Sequence, residues 1–364
     1  MKKNIALLAI LLAFALVAAS CSDDEGGETA EGEWPEEIIY GFIPSEQQET
    51  LADTVQPYTD YLSEELGITV TPVITADYNG LVVAMGAGQT DLGAFGPLGY
   101  VQAKTQYPTI ELLMQSIRRG SKTYHGQWFT NDPSICDEGT LEPGTALVGP
   151  AEADTLGISG AGLTTQVPIA DAIAQQVGLD YTGDEPVPEV LDDGRAVAPG
   201  TTCTASLESV AGKKIAFGSP TSTSATVYPQ LQLINAGIDI ETDVEYDYLG
   251  SHDATVAAVY LGDFDIGISF DDARRTMRTD NTDVGSVVTV FNLTDEIPND
   301  VVAVRGDLPD DLKQALYDAT AAFLATDEGK LVFDDIYEWT SIQPGVESDF
   351  DVVREAQEKL GITE

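Results

Sequence analysis

The stretch Lys214-Ile215-Ala216-Phe217-Gly218-Ser219-Pro220-Thr221-Ser222-Thr223-Ser224 reads as a strand, a turn and the start of a helix. The helix runs to about Ala236 and is closed by Gly237. Free N–H groups of a helix's first turn converge on one point, where the helix dipole favours negative charge. Hydroxyls of Ser222, Thr223 and Ser224 add neutral donors, so this segment suits a tetrahedral oxyanion without any Arg or Lys. The plainer reading is N-capping by one serine, which needs one hydroxyl where three stand.

The same alternation of strand and helix extends to either side, the sequence sign of α/β layering. Downstream, Val244–Leu249 and Phe264–Phe270 read as strands around a helix from Asp253 to Leu261. Val301–Arg305 is a further strand, and the last sixty residues read as mostly helical, with Leu312, Leu316, Thr320 and Phe323 on one face. Upstream, Ile38–Ile43 is a strand, and Ser45 with Gln48 forms a capping box. Leu51, Val55, Tyr58, Leu62 and Leu66 mark one helical face, in which Pro57 predicts a kink or a break. Ile68–Ile74 is a strand, Asp77 caps the next helix, and Leu92–Phe95 is a short buried strand. Between the two series, residues 133–205 form a Gly-, Pro-, Thr- and Asp-rich insertion with one helix, roughly Ile169–Val177.

The 364 residues carry 61 Asp plus Glu against 17 Lys plus Arg, a net charge of −44. With 43% hydrophobic residues the chain still has a core to pack, so the acid is not that of a disordered tail. Such a surface excludes nucleic acid as a partner, because phosphate backbones need clustered cations. At long range it also opposes an anionic ligand. At physiological salt, however, the Debye length is about 8 Å, so distant acid is screened and local N–H and hydroxyl groups decide. The lysine-poor surface fits a saline habitat.

Residues 1–33 are not part of the fold. Lys2 and Lys3 precede an unbroken apolar run, Ile5–Ala19, of 15 residues. A span needs about 20, so this is a signal peptide over residues 1–20 rather than a membrane anchor. Ala18-Ala19-Ser20-Cys21 resembles the lipobox of bacterial lipoproteins, with Ala18 where Leu is usual. The resemblance implies a lipidated Cys21, a tether over 21–35, and a protein held at the outer face of the cell membrane. An ordinary signal peptide with an incidental cysteine is the other reading. Cleavage removes both lysines and leaves 15 basic against 61 acidic residues, or −46. In an oxidising compartment the remaining pair, Cys136 and Cys203, reads as a disulfide worth roughly 4 kcal/mol in the chain-entropy model. Two free buried cysteines are the alternative.

No nucleophile–base spacing, Gly-x-Ser-x-Gly elbow or phosphate-binding Gly-rich loop ending in Lys is present. His125 and His252 are the only histidines, and there is no Cys-x-x-Cys. No enzyme, metal or cofactor is expected. Arg274, Arg275 and Arg278, the densest basic cluster, read as local ion pairs on an acidic surface.

Five short motifs occur in a meaningful order. They are Gly41-Phe42-Ile43-Pro44-Ser45-Glu46-Gln47-Gln48, Ala76-Asp77-Tyr78, Phe95-Gly96-Pro97, Thr221-Ser222-Thr223-Ser224 and Gly250-Ser251-His252-Asp253. Over roughly 36–130 and 206–345 the chain resembles the phosphate/phosphite/phosphonate-binding proteins of ABC importers. That family has a type II periplasmic-binding-protein fold: α/β, two-lobed, with the ligand cleft between lobes. The resemblance implies ligand contacts from Tyr78, Tyr124, Ser222, Thr223, Ser224, His252, Asp272 (Asp271 one residue off) and Asp300 in Ile297-Pro298-Asn299-Asp300. Ala225 departs from the glycine common after the Ser-Thr-Ser run, which bears on how closely the backbone approaches a ligand. Asp272 and Asp300 together would suit a ligand carrying an ammonium.

The expected protein is therefore a monomeric extracytoplasmic binding lipoprotein that delivers a small phosphorus oxyanion to an ABC permease. Lobe one takes 36–124 and 300–364; lobe two takes 125–299. A sensor module for a signalling partner on the same fold is the alternative. A third reading makes it a surface interaction protein that works through the insertion.

Overall fold

The computed structural model describes residues 33–45, 48–118, 120–150, 164–168 and 197–362. The leader, Cys21, the tether up to residue 32 and the helix expected near Ile169–Val177 lie outside these residues, as does the Gln48 side chain of the expected capping box.

Two mixed sheets carry the fold. The first has the order β17-β4-β16-β3-β1-β2, from Trp339–Pro344 (β17), Ile110–Arg118 (β4), Val301–Arg305 (β16), Leu92–Phe95 (β3), Glu37–Phe42 (β1) and Thr69–Ile74 (β2). The second has the order β12-β11-β13-β6-β14-β10-β7. Its strands are Glu245–Tyr248 (β12), Lys214–Phe217 (β11), Ile266–Phe270 (β13), Gly126–Thr130 (β6), Thr289–Leu293 (β14), Thr201–Thr202 (β10) and Glu142–Pro143 (β7). Connections pass between the sheets at Thr123–Tyr124 (β5) and Ile297–Pro298 (β15), which pair antiparallel. Buried Asn299 fastens this crossing by donating its side-chain N–H to the carbonyls of Ser116 and Ser121.

The first strand after each crossing runs antiparallel to its neighbours: β6 between β13 and β14, and β16 between β3 and β4. The parallel strands β1, β2 and β3 of one sheet, and β11, β12 and β13 of the other, are each followed by a loop or a helix start. In open α/β sheets ligands bind outside the carboxyl ends of parallel strands. Residues from all six of these positions line the cleft described below.

Both cores are aromatic-rich. Tyr40, Tyr58, Phe323 and Phe333 pack against one another beside the first sheet, mostly edge to face. Trp128, Phe217 and Phe291 fill the second beside Cys203, which is bonded to Cys136. Within the insertion, β7 and β10 extend the edge of the second sheet, while Thr145–Val148 (β8) and Thr165–Pro168 (β9) form a separate ribbon.

Three local expectations are refined. The helix Gln48–Leu66 is continuous through Pro57, so the missing N–H does not end it. The last sixty residues are mostly helical, as expected, and also contain β17, paired with β4. The helix after β11 is composite: a π-helical turn, Thr223–Val227, precedes the α-helix Tyr228–Asn235. Proline explains the third. Pro229 has no N–H for the carbonyl of Ala225, and that carbonyl instead accepts from the Gly218 N–H at 3.2 Å.

Candidate functional site

One cleft, of about 480 Å³ including its open mouth, lies between the two sheets. Its walls include Ile43 and Ser45 after β1, Tyr78 after β2, Gly96 after β3, Ser222–Ser224 after β11, His252 after β12 and Phe270 at the end of β13. Arg118 ends β4, Tyr124 and Asp300 belong to the crossings, and Arg275, Ile336 and Tyr337 complete the wall.

The hydroxyls are arranged for an anion. Ser222 caps the π turn by accepting from the Ala225 N–H at 3.3 Å. Thr223 Oγ1 accepts from the backbone N–H of Leu98 at 3.0 Å, in the first turn of the helix Pro97–Gln106 across the cleft. A hydroxyl has one donor hydrogen, so with an N–H on each oxygen both hydrogens remain to be given. Ser224 is hydrogen-bonded to the Tyr124 hydroxyl, which burial and neighbouring Asp300 keep well above the usual phenol value and protonated. Close packing holds the turn in place: a Cβ on Gly126 would lie 2.5 Å from the Ser224 carbonyl oxygen. The Ala225 methyl faces Gly218, where a Cβ would meet it at 2.7 Å, and Ala225 is not part of the cleft wall. Its departure from glycine is matched there and leaves the ligand side open.

His252 opens the helix His252–Tyr260, and its backbone N–H reaches the Ser45 carbonyl at 3.0 Å. Its Nδ1 meets Ser269 Oγ at 2.7 Å. Burial, aided by Arg118, lowers the imidazole to about 3, so the ring is neutral. Asp300 moves the other way: burial pushes it up to about 6, although Arg118 pulls it down.

Asp272 is not in this group. It caps the turn Ala273–Met277 and binds Arg274 at 2.9 Å, with Arg278 beyond at 3.5 Å. Burial alone would raise its carboxyl, but those guanidiniums hold it well below the usual range. Its neighbour Asp271, the one-residue alternative, accepts from the His125 N–H at 3.4 Å and acts electrostatically on Arg118 and Tyr124. Of the eight ligand residues expected, Tyr78, Tyr124, Ser222, Thr223, Ser224, His252 and Asp300 are brought together.

Sequence reading missed the cations. Arg275 forms the local ion pair expected of its cluster, but it also lines the cleft, as does Arg118, so the Ser222–Ser224 donors do not stand without cations. Glu338, 2% exposed, binds Arg118 through Oε2 and Arg275 through Oε1, the latter at 2.6 Å. Arg118 also lies over the rings of Tyr124 and Phe270, 4.9 and 5.1 Å from their centroids. Only the cationic type of Arg118 was visible in sequence; its partner lies 220 residues away.

Two α/β lobes joined by paired crossings, with a donor-lined cleft between strand ends, define a periplasmic-type solute-binding protein. Residues 40–350 match the family model for the periplasmic substrate-binding protein of ABC phosphonate transporters, and the chain belongs to that family. The family is the binding component of a transporter and not an enzyme. Among curated relatives, the phosphate-import protein PhnD of Mycolicibacterium smegmatis is 28% identical over 305 residues, 81% of this chain and 74% of that protein. Among solved structures, PhnD1 from Prochlorococcus marinus, in complex with methylphosphonate, superposes with a TM-score of 0.64 at 19% identity, covering 90% of this chain and 98% of that one. A binding protein component of an ABC phosphonate transporter from Pseudomonas aeruginosa gives 0.62 at 17%, covering 89% and 86%. At such identities the two structures bear on the fold. Among the described residues no helix is long and apolar enough to cross a membrane.

Proposed function

We propose that this chain captures a small phosphorus oxyanion (phosphate, phosphite or a short phosphonate) in the cleft and presents it to an ABC permease when the lobes close over it. The observation that carries this reading is the pair of hydroxyls, Ser222 and Thr223, each with a backbone N–H on its oxygen and a hydrogen left to donate. Ser224 with Tyr124, Tyr78 and His252 supply the remaining polar contacts. A Ser269 hydroxyl donating to Nδ1 leaves His252 Nε2 protonated and a donor. Asp300 is the acceptor for a P–OH, which phosphate and phosphonate monoanions carry and sulfate lacks.

Lobe boundaries at 36–124 with 300–364 and at 125–299 belong to the same reading, as does a monomer tethered by a lipid on Cys21. Titration calorimetry at pH 7 against phosphate, phosphite, methylphosphonate and sulfate tests it. Binding of at least one phosphorus oxyanion below 100 μM, roughly 5 kcal/mol or more of association free energy, with sulfate much weaker, is expected. Absence of binding at millimolar concentration for all four rejects the reading.

A further inference from the structure

The cleft is rich in donors and poor in acceptors. Ser222 and Thr223 have N–H groups on their oxygens, and the two cationic side chains of the wall, Arg118 and Arg275, only donate. Glu338 stands directly behind them, but each of its carboxylate oxygens is held by one guanidinium. Asp272, the acid placed by sequence where it would meet a cationic substituent, is held by Arg274. Among the described residues Asp300 is the one acid in the wall, and the P–OH of an oxyanion already draws on it.

We infer that this cleft rejects phosphonates whose substituent carries an ammonium, and that Arg275, with Arg118 and Glu338, sets that specificity. This rests on the oxyanion reading above and narrows its ligand class to phosphate, phosphite and phosphonates with a small uncharged substituent. An alkylammonium brings three donors and no acceptor. Entering this cleft, it gives up water, meets two guanidiniums and finds Glu338 already engaged; a buried charge left without its partners is strongly disfavoured. An alkyl chain of the same size instead meets Ile43, Phe270, Ile336 and Tyr337. Arg275 is the discriminating member because it forms its ion pair with Glu338 Oε1 from the second sheet's side, while Arg118 stays on Oε2. Its removal takes one guanidinium away from the cleft and from that carboxylate.

Calorimetry with 2-aminoethylphosphonate and n-propylphosphonate tests the inference, since the two have the same number of heavy atoms. The alkyl ligand is expected to bind at least roughly 30-fold more tightly. In Arg275→Gln the ratio should fall at least about fivefold, and Arg275→Lys should restore it. Circular dichroism melts confirm that each variant is folded. Equal affinities, or tighter binding of the amine, overturn the inference and leave the oxyanion reading standing. So does weak binding of both when methylphosphonate binds well, because size would then set the limit. A ratio unmoved in Arg275→Gln removes Arg275 from the role. If phosphate, phosphite and methylphosphonate all fail, the oxyanion reading falls and takes this inference with it.

Discussion

The backbone N–H of Leu98 donates to Thr223 Oγ1 at 3.0 Å, joining two helix starts that face each other across the cleft. One belongs to the helix Pro97–Gln106 after β3, the other to the π turn after β11. With the His252 N–H to the Ser45 carbonyl, this gives two hydrogen bonds between the loops of opposite sheets. Thr223 thus links the lobes and faces the ligand position at the same time.

Replacing Thr223 by Val keeps the shape but removes both functions. Affinity for the bound oxyanion should fall about 10- to 100-fold, the range for losing a hydrogen bond to a charged group, and Thr223→Ser should recover most of it. The ligand-free variant should also populate a more open form, read as a larger radius of gyration by small-angle scattering. An unchanged radius with weakened binding would confine Thr223 to ligand contact.

Asp300 should show the opposition between function and stability. Its folded carboxyl lies at about 6 against an ordinary value of 3.8. The folded state therefore binds more protons than the unfolded state between those values, and stability falls as pH rises through that window. Above pH 6 the full penalty applies, of order 1–3 kcal/mol. Asp300→Asn should raise the melting temperature of the ligand-free protein by roughly 2–6 °C at pH 7.5, and the gain should vanish near pH 4. Oxyanion affinity should drop in the same variant. A gain that persists at pH 4 would contradict the assignment to this carboxyl.

Much of the fold was legible because its strands are punctuated. Strands β3, β11 and β16 lie where the sequence places them, each followed by Gly or bounded by Pro. The strand β6 was not, since all five of its residues are buried and show no alternation. Site residues fared by the range of their interactions. Ser222 and Thr223 announce themselves locally, whereas Arg118 acquires its role only when β4 meets Glu338. Asp271 and Asp272 are chemically identical neighbours. What separates them is Arg274, whose side chain folds back onto the second of the pair.

The Cys136–Cys203 bond should stabilise without shaping the site. It closes a separation of 67 residues and sits among Trp128, Phe217 and Phe291, none of which lines the cleft. A Cys136→Ala/Cys203→Ala double variant should lose about 2–4 kcal/mol in chemical unfolding. The dissociation constant at 25 °C should stay within about twofold of the parent, since among the described residues neither cysteine nor its core neighbours line the cleft. A tenfold loss of affinity would mean that the insertion helps to hold the cleft.

Salt should strengthen both folding and capture. With 61 acidic against 17 basic residues, the surface repels itself and an incoming anion at low ionic strength. The Debye length shrinks from about 10 Å at 0.1 M to 3 Å at 1 M, so both repulsions fade. Unfolding midpoints should rise from 0.05 to 1 M NaCl, a range over which a flat or falling trend would contradict the account. Stopped-flow association of the oxyanion should accelerate over the same range, opposite to the slowing seen when partners attract. Dissociation is set by local N–H and hydroxyl contacts, so it should change little, and the gain in affinity should lie in the association rate. Association that slows with salt would show that the field at the cleft mouth is positive, dominated by Arg118 and Arg275 and not by the acidic surface.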